Sequence, residues 1–266
     1  PIVLFLIIKS KALQGLLVVV IGTSVTLFFL VRSKYSKRIQ IFYLTIVTIL
    51  GVMSVAGMFQ KGLFASFLYK PSVSIRGAYW RAAYKMFAQD PITGLGLGSY
   101  GDFYRVFRDS NALVVPGVEV STDTAHNTIL DFLSGGGILL TLPYLFVLAY
   151  ALYKSVHLVR RHKDFDVIFV SLFATWICYV AQSIISINQI GLAIWGWILS
   201  GLLISYTHKR LLIDINVPDQ KINSKTKKNY DQNLTAGKFV NLISIIVLGS
   251  FIVLPPQVSE IRWAQS

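Results

Sequence analysis

The sequence predicts an all-α polytopic integral membrane protein with about six full transmembrane helices, a truncated helix before them, and a long extracytoplasmic loop carrying short amphipathic helices. Of the 266 residues, 54% are hydrophobic and 14% are charged, whereas soluble domains carry about 25% charged residues. The hydrophobic residues form uncharged runs of roughly 20 residues, the length of a helix that crosses a bilayer. Backbone groups in lipid must be bonded within the chain, which makes these runs helices. The runs cover 12–31, 39–59, 136–153, 167–185, 190–207 and 239–256.

The runs divide the chain into four segments. Residues 1–59 hold a partial helix, since 1–8 are apolar but too short to span, and then two transmembrane helices. Residues 60–135 form the long extracytoplasmic loop, and 136–256 hold four transmembrane helices with basic connections. Residues 257–266 are predicted to begin a truncated extracytoplasmic tail, so we interpret the sequence as a piece of a longer protein.

Basic residues concentrate in three connections, which predicts the membrane topology. The segments 32–38, 154–165 and 208–238 contain four, four and seven of the 25 Lys and Arg. They alternate with the other connections, and the positive-inside rule therefore places them in the cytoplasm. The loop 60–135 and the C-terminal tail are then extracytoplasmic. This distribution explains the net charge of +13. The expected partners of the basic residues are membrane lipids, and no nucleic-acid partner is predicted.

The loop 60–135 is predicted to be folded, because its seven basic and six acidic residues nearly balance. Aromatic and aliphatic residues recur at helical spacing over 74–89, after a break at Pro71. This pattern predicts an amphipathic helix on or near the membrane surface. Asp90-Pro91 is expected to end it.

The remainder of the loop is rich in turn-forming residues. The run Gly94-Leu-Gly-Leu-Gly-Ser99 does not follow a strand, which excludes a dinucleotide-binding loop and favours a turn with close backbone packing. Residues 102–123 are expected to be irregular. A short helix carrying His126 is expected to begin at a cap on Thr122 or Asp123, and three glycines at 135–137 separate it from the next span.

His126 is the leading candidate for proton transfer. It is the one histidine of four that falls in a predicted outer segment, whereas the others fall in basic cytoplasmic connections. A neutral imidazole near pH 7 can accept a proton from a hydroxyl. Asp123 and Asp131 are near enough in sequence to orient it. The alternative is an ordinary histidine at the membrane interface.

Arg76 and Arg81 are candidates for binding phosphate, since a guanidinium donates to phosphate through two parallel hydrogen bonds. Five residues apart on a helix, they point in different directions, so one could face a site and the other lipid headgroups. For Arg81 and Lys85, contact with lipid phosphate is the favoured interpretation.

No metal site or cofactor is predicted. The run Asp164-Phe165-Asp166 has the form of a metal-binding carboxylate pair, but it stands where a helix begins, which favours helix capping. No spacing of His, Cys and carboxylate residues is typical of a metal centre.

Taken together, these segments resemble the bacterial O-antigen ligase/polymerase superfamily. The resemblance covers nearly the whole chain and is carried by short blocks in a fixed order. These blocks are Ser10-Lys11-Ala12-Leu13, then Arg76, Trp80 and Ala83, then Pro91, Gly94 and Gly96, then His126-Asn127 to Gly137, and finally Trp195-Gly-Trp197 with Gly201.

The resemblance implies a metal-independent glycosyltransferase without a cofactor, on the outer face of the bacterial cytoplasmic membrane. Its donor would be a glycan on undecaprenyl diphosphate, and its acceptor a hydroxyl of lipid A core or of another glycan. His126 would be the general base and Arg76 would bind the diphosphate. Lys11 stands where the family usually has Arg. Lysine keeps the positive charge but does not donate two parallel hydrogen bonds. Arg81 and Asn127 complete the predicted substrate-binding set.

Several alternatives remain open. The family includes ligases, polymerases and relatives that glycosylate protein, and the residues here do not separate them. An anion transporter is a second class, although transporters place ionisable groups near the membrane midplane. A structural scaffold for glycan export is a third, and it leaves the His126 and Arg76 region unexplained.

Overall fold

A computed structural model describes Lys9 and residues 13–69, 71–187 and 189–215. Within these ranges the regular secondary structure is entirely helical. Its helices are α1 (Leu13–Lys34), α2 (Lys37–Met58), α3 (Ala65–Leu68), α4 (Pro71–Gln89), α5 (Tyr100–Phe107), a 3-10 turn (Ser110–Leu113), α6 (Thr128–Arg161), α7 (Val167–Ser183) and α8 (Ile190–Ile215). The described residues up to Ile213 belong to one compact unit.

The all-α membrane class predicted from composition is confirmed. In the described part of the chain, four helices are long and apolar enough to cross a bilayer, over Gln14–Lys34, Lys37–Met58, Thr128–Arg161 and Ile190–Leu212. The apolar helix α7 has 17 residues, at the lower limit of what spans. Five of the six predicted runs are therefore helices. The sixth, 239–256, lies outside the described residues together with the tail 257–266, so the count of six stays a prediction.

Aromatic contacts hold the helical bundle together. Phe29 of α1 meets Phe169 and Phe173 of α7 edge to face, with ring centroids 5.6 and 5.9 Å apart. Farther along α7, the buried indole of Trp176 donates to the Ser200 hydroxyl of α8 at 2.9 Å. A buried donor with a partner adds directional contact to an apolar interface without the cost of an unsatisfied group.

One end of the bundle is rich in basic residues, and we call it the basic end. It comprises the last turns of α1 and α6, the first turns of α2 and α7, and residues 208–210 of α8. Arg32 of α1 donates to the carbonyl of Val159 and, at 3.1 Å, to that of His162, both at the end of α6. Asp166 caps α7 by accepting from the N–H groups of Ile168 and Phe169 at 3.1 and 3.2 Å. The predicted capping role of this carboxylate is confirmed.

The loop between α2 and α6 packs around α4. A helix is present over 74–89 as predicted, but Pro71 is its first residue rather than a break before it, because that position needs no backbone N–H. The expectation that 102–123 is irregular is wrong in part, since α5 begins just before it and a 3-10 turn follows. Helix α5 buries Tyr100 and Tyr104 on one face, where both contact Tyr79 of α4.

Helix α6 is interrupted at Gly137, whose φ of 57° and ψ of −158° are not helical. Residues 91–96 supply backbone partners on both sides of the interruption, and we call these residues with 134–139 the glycine junction. The N–H groups of Leu95 and Gly96 donate to Ser134 and Gly135 at 2.8 and 3.0 Å. In the other direction, Ile138 and Leu139 donate to Pro91 and Ile92 at 2.9 and 3.2 Å. The loop thereby replaces hydrogen bonds that the interrupted helix lacks.

The glycine junction requires its glycines because the two backbones touch. A Cβ atom on Gly94 would lie 2.6 Å from backbone atoms of Gly135 and Gly136, and Gly94 also has a φ of 67°. A side chain on Gly137 would collide with the backbone of Ile92. The predicted close backbone packing of this run is confirmed.

Candidate functional site

His126 immediately precedes helix α6 and adopts the left-handed backbone conformation, with a φ of 56°. The expected short helix capped by Thr122 or Asp123 is therefore wrong. The cap is Asn127, whose Oδ1 accepts from the N–H groups of Ile129 and Leu130 at 3.0 and 3.1 Å. A left-handed residue cannot belong to a right-handed helix, so the local backbone places His126 outside it.

The backbone on both sides of His126 is fixed by Asp131. Its Oδ1 accepts from the N–H of Ala125 at 2.6 Å, and its own N–H donates to the carbonyl of Asn127 at 2.8 Å. Asp131 was expected to orient the imidazole, but within the described residues neither it nor Asp123 bonds to the ring. Its carboxylate instead holds the chain that carries the ring. Such support is what a strained backbone conformation needs.

The imidazole of His126 stacks on the ring of Tyr79, with centroids 5.6 Å apart and planes inclined by 24°. Tyr79 is itself immobilised, since Tyr100 donates its hydroxyl to the Tyr79 carbonyl at 2.7 Å and Tyr104 packs against it edge to face. Helical spacing predicted Tyr79 only as part of the apolar face of a helix, and this contact was not predicted. A usable signal was its position three residues after Arg76, on the same helix face.

Arg76 lies one turn before Tyr79 and is half-buried. The amide oxygen of Gln14, turned toward it, accepts from Nη1 and Nη2 at 2.8 and 2.5 Å. This contact connects α1 to α4. The sequence offered no signal for it, because a single Gln near the start of an apolar run has no pattern that points to a partner.

Two effects lower the pKa of His126. Burial of the imidazole is the larger, and the positive charge of Arg76 adds to it. Both disfavour the imidazolium, so the ring is neutral near pH 7 and able to accept a proton. Burial also lowers the pKa of Arg76, but a guanidinium stays charged at any physiological pH.

A family model described as O-antigen ligase matches residues 2–145, more than half of the chain and the part that contains Arg76 and His126. The chain belongs to the O-antigen ligase family. Family membership indicates ligase- or polymerase-type transfer of glycans in a membrane. No curated protein and no solved structure matches the chain.

The O-antigen ligase blocks named in the sequence analysis have distinct places in the structure. Arg76 and His126 come together, whereas the Pro91, Gly94 and Gly96 block forms the glycine junction. Asn127 is buried as the cap of α6, a structural role that the sequence analysis did not consider. Its role in substrate binding stays a prediction. Lys11 lies outside the described residues.

Arg81 has a different partner from Arg76. Its Nε and the Nζ of Lys85 each lie 2.5 Å from a carboxylate oxygen of Asp109. Lys85 and then Arg81 hold the pKa of Asp109 below its usual range. Both cations therefore pair with Asp109, although contact with lipid phosphate was the favoured interpretation. A substrate contact by Arg81 stays a prediction of family resemblance.

Over the residues that the structure describes, no group of three or more His, Cys, Asp or Glu side chains is arranged to hold a metal ion. The charged and titratable groups of the described residues near the start of α6 include His126, Arg76 and Asp131.

Proposed function

We propose that this chain transfers a glycan from undecaprenyl diphosphate to an acceptor hydroxyl at the outer face of the cytoplasmic membrane, with His126 as general base. The observation that carries the proposal is a neutral, half-buried imidazole beside a guanidinium, at the start of a membrane helix. Membership of the O-antigen ligase family supports the same reaction class.

The reaction we propose begins at the acceptor hydroxyl. His126 accepts the hydroxyl proton while the acceptor oxygen forms a bond to the anomeric carbon of the donor glycan. The bond from that carbon to the diphosphate oxygen breaks, and undecaprenyl diphosphate departs with the electron pair. A positioned general base typically contributes about 10²–10⁴-fold to such a step.

Arg76 is proposed to bind the departing diphosphate. A guanidinium has five N–H donors. Two of its nitrogens donate to Gln14, which fixes the group and leaves further donors for phosphate oxygens. Because Arg76 is half-buried, its charge is less screened than in water, and it can stabilise the charge that develops on the leaving group.

The proposed position of this site on the outer face is inferred from the residues at the two ends of α6. His126 adjoins Asn127, the N-terminal cap of α6, and Arg160 and Arg161 are in the last turn of α6. The positive-inside rule assigns the arginine end to the cytoplasm. The site would then face outward, where lipid-linked glycans are joined to their acceptors.

Two alternatives are distinguished by experiment. A polymerase would use the same donor and the same site but a second lipid-linked glycan as acceptor. For an anion transporter, charged groups near the midplane would be expected. In the described spans, Lys, Arg, Asp and His side chains lie within about two turns of the helix ends, which favours an interfacial enzyme.

The test is complementation of a deletion strain with the full-length gene, followed by gel analysis of carrier-linked and surface glycans. With His126→Ala, carrier-linked glycan accumulates and the surface product is lost. His157→Ala, at the basic end of the same helix, is the matched control and retains the product. An unchanged profile for His126→Ala at equal expression would exclude the base role. A ladder that stays on the carrier while its length is preserved identifies a ligase, whereas loss of the ladder identifies a polymerase.

The proposed reaction has no metal step, because side chains supply both the base and the cation. Membranes containing the wild-type protein are expected to keep their transfer activity in excess chelator. Activity that is lost with chelator and restored by a divalent cation would contradict this part of the proposal.

A further inference from the structure

A cavity of about 420 Å³ lies between α1, α2 and α6, near the basic end of the bundle and away from His126. Its walls include Val25 and Phe28 of α1, Leu44 and Val47 of α2, and Val156 of α6. Ligand-sized pockets have volumes of roughly 300–1,000 Å³. The cavity is therefore large enough for a molecule, and the proposed glycan transfer does not use it.

The lining of this basic-end cavity selects an apolar occupant. Its walls are almost entirely hydrocarbon, and the hydroxyl of Tyr43, which also lines it, is already bonded to the Ser24 carbonyl at 2.8 Å. Water needs several polar partners to remain in such a space. Leu44 and Val156 are 44% and 37% exposed, so the cavity opens sideways to the surroundings of the bundle, which are lipid.

The height of the cavity matches one leaflet of a bilayer. Helix α2 begins at Lys37, and the deepest α2 residue of the lining is Val47. Ten residues of helix rise about 15 Å, half of a hydrocarbon core of about 30 Å. A single acyl chain that enters from the basic end would fill this depth.

One cation is placed to bind a headgroup. Among the described residues that line the cavity, Arg160 is the only charged one. Its side chain is exposed and makes no ion pair or hydrogen bond with the described part of the chain. Arg32, one helix away, is instead occupied by carbonyl groups of α6. An unpaired guanidinium at the end of an apolar cavity complements a phosphate attached to a hydrocarbon chain.

We infer that the basic-end cavity binds an anionic phospholipid, with one acyl chain between α1, α2 and α6 and the headgroup phosphate on Arg160. This lipid site is separate from the proposed donor site and does not depend on the transfer chemistry. Burial of a chain here would fill the space between α2 and α6, which otherwise face each other across the cavity.

The headgroup contact is tested by native mass spectrometry of the full-length protein in detergent, titrated with phosphatidylglycerol or phosphatidylcholine. Arg160→Gln is expected to weaken phosphatidylglycerol binding about 5-fold, the usual contribution of one cation at an anionic membrane surface. It leaves phosphatidylcholine binding unchanged. The matched control is Arg161→Gln, which removes the adjacent charge outside the lining. An equal loss of phosphatidylglycerol binding in both variants would indicate a general effect of charge and would overturn the proposal.

The acyl-chain contact is tested separately with Val47→Trp, which fills the cavity. This variant is expected to weaken binding of both lipids, whereas Val52→Trp, on an exposed face of the same helix, leaves both unchanged. Thermal unfolding identifies any variant that fails to fold, and Arg160→Gln then still decides the inference. Wild-type binding of both lipids by folded Val47→Trp would show that the chain does not enter the cavity and would overturn the proposal.

Discussion

The two ends of helix α6 use similar residue types for opposite purposes. At the basic end, several polar groups are engaged with one another or with backbone: Asp166 accepts from the Tyr206 hydroxyl at 2.7 Å, and Arg32 donates to carbonyl groups. At the other end, the imidazole nitrogens of His126 make no hydrogen bond within the described residues. Satisfied polar groups hold helices together, whereas an unsatisfied group beside a cation keeps its capacity for substrate.

The largest effect is expected for Arg76→Gln, which tests this difference between the two ends of α6. We expect transfer to fall about 10²–10³-fold, the usual loss when one preorganised donor to a developing charge is removed. The acid limb of the pH profile should also move to higher pH. The neutral imidazole is the active form, so activity falls as pH drops through its lowered pKa, and removal of the guanidinium raises that pKa.

The measurement is initial transfer rate in membranes between roughly pH 5 and 9, a range that covers the titration of His. Lys85→Gln serves as control, because it removes a cation from the same helix that pairs with Asp109. An Arg76→Gln profile that keeps the wild-type acid limb would show that Arg76 does not act on His126.

A second test concerns the glycine junction, using two glycines of similar backbone conformation. Gly94 and Gly98 have φ values of 67° and 78°, but an added Cβ has no neighbour within 4 Å at Gly98 and meets backbone at Gly94. Gly94→Ala should cost about 2–4 kcal/mol from strain and overlap together. Gly98→Ala should cost about 1 kcal/mol. Thermal unfolding in detergent compares them, and equal losses would mean that the contact is not tight.

The stack beneath His126 gives a finer test. Tyr79→Phe keeps the ring and should retain nearly wild-type turnover. Tyr79→Leu removes the flat surface that holds the imidazole and should lower kcat about 10-fold, since small misplacement of a catalytic group is costly, with KM little changed. Equal kcat values for the two variants would show that ring contact does not position the imidazole.

The smallest effect on transfer is expected at the basic end. Arg32→Gln should lower the free energy of unfolding by about 1–3 kcal/mol, as expected for hydrogen bonds from a charged donor, and leave transfer per folded molecule unchanged. Lys34→Gln, two residues later and exposed, should change neither. A fall in specific activity for folded Arg32→Gln would remove the distinction between the two ends.

The parts of the fold that sequence predicted are those with a local signal. The apolar runs predicted the long helices, the spacing of Tyr79, Ala83 and Met86 predicted α4, and the density of glycine predicted close packing near Gly94. Each follows from composition or periodicity over a few turns.

The parts that sequence missed depend on competition or on distant contacts. Thr122, Asp123 and Asn127 are all good capping residues, and the choice of Asn127 depends on the reciprocal bonds of Asp131 with Ala125 and Asn127. The contacts of His126 with Tyr79 and of Arg76 with Gln14 join residues 47 and 62 positions apart, and no local pattern encodes them. Helix α5 was missed because eight residues give a weak periodic signal.

The glycine junction also determines the depth at which the proposed chemistry takes place. Because its hydrogen bonds fall on both sides of Gly137, the loop cannot slide along the span without losing them. His126 is therefore kept at a set distance beyond Gly137. The ten residues Thr128–Gly137 correspond to about 15 Å of helix. The length of this short segment sets how far the imidazole stands from Gly137.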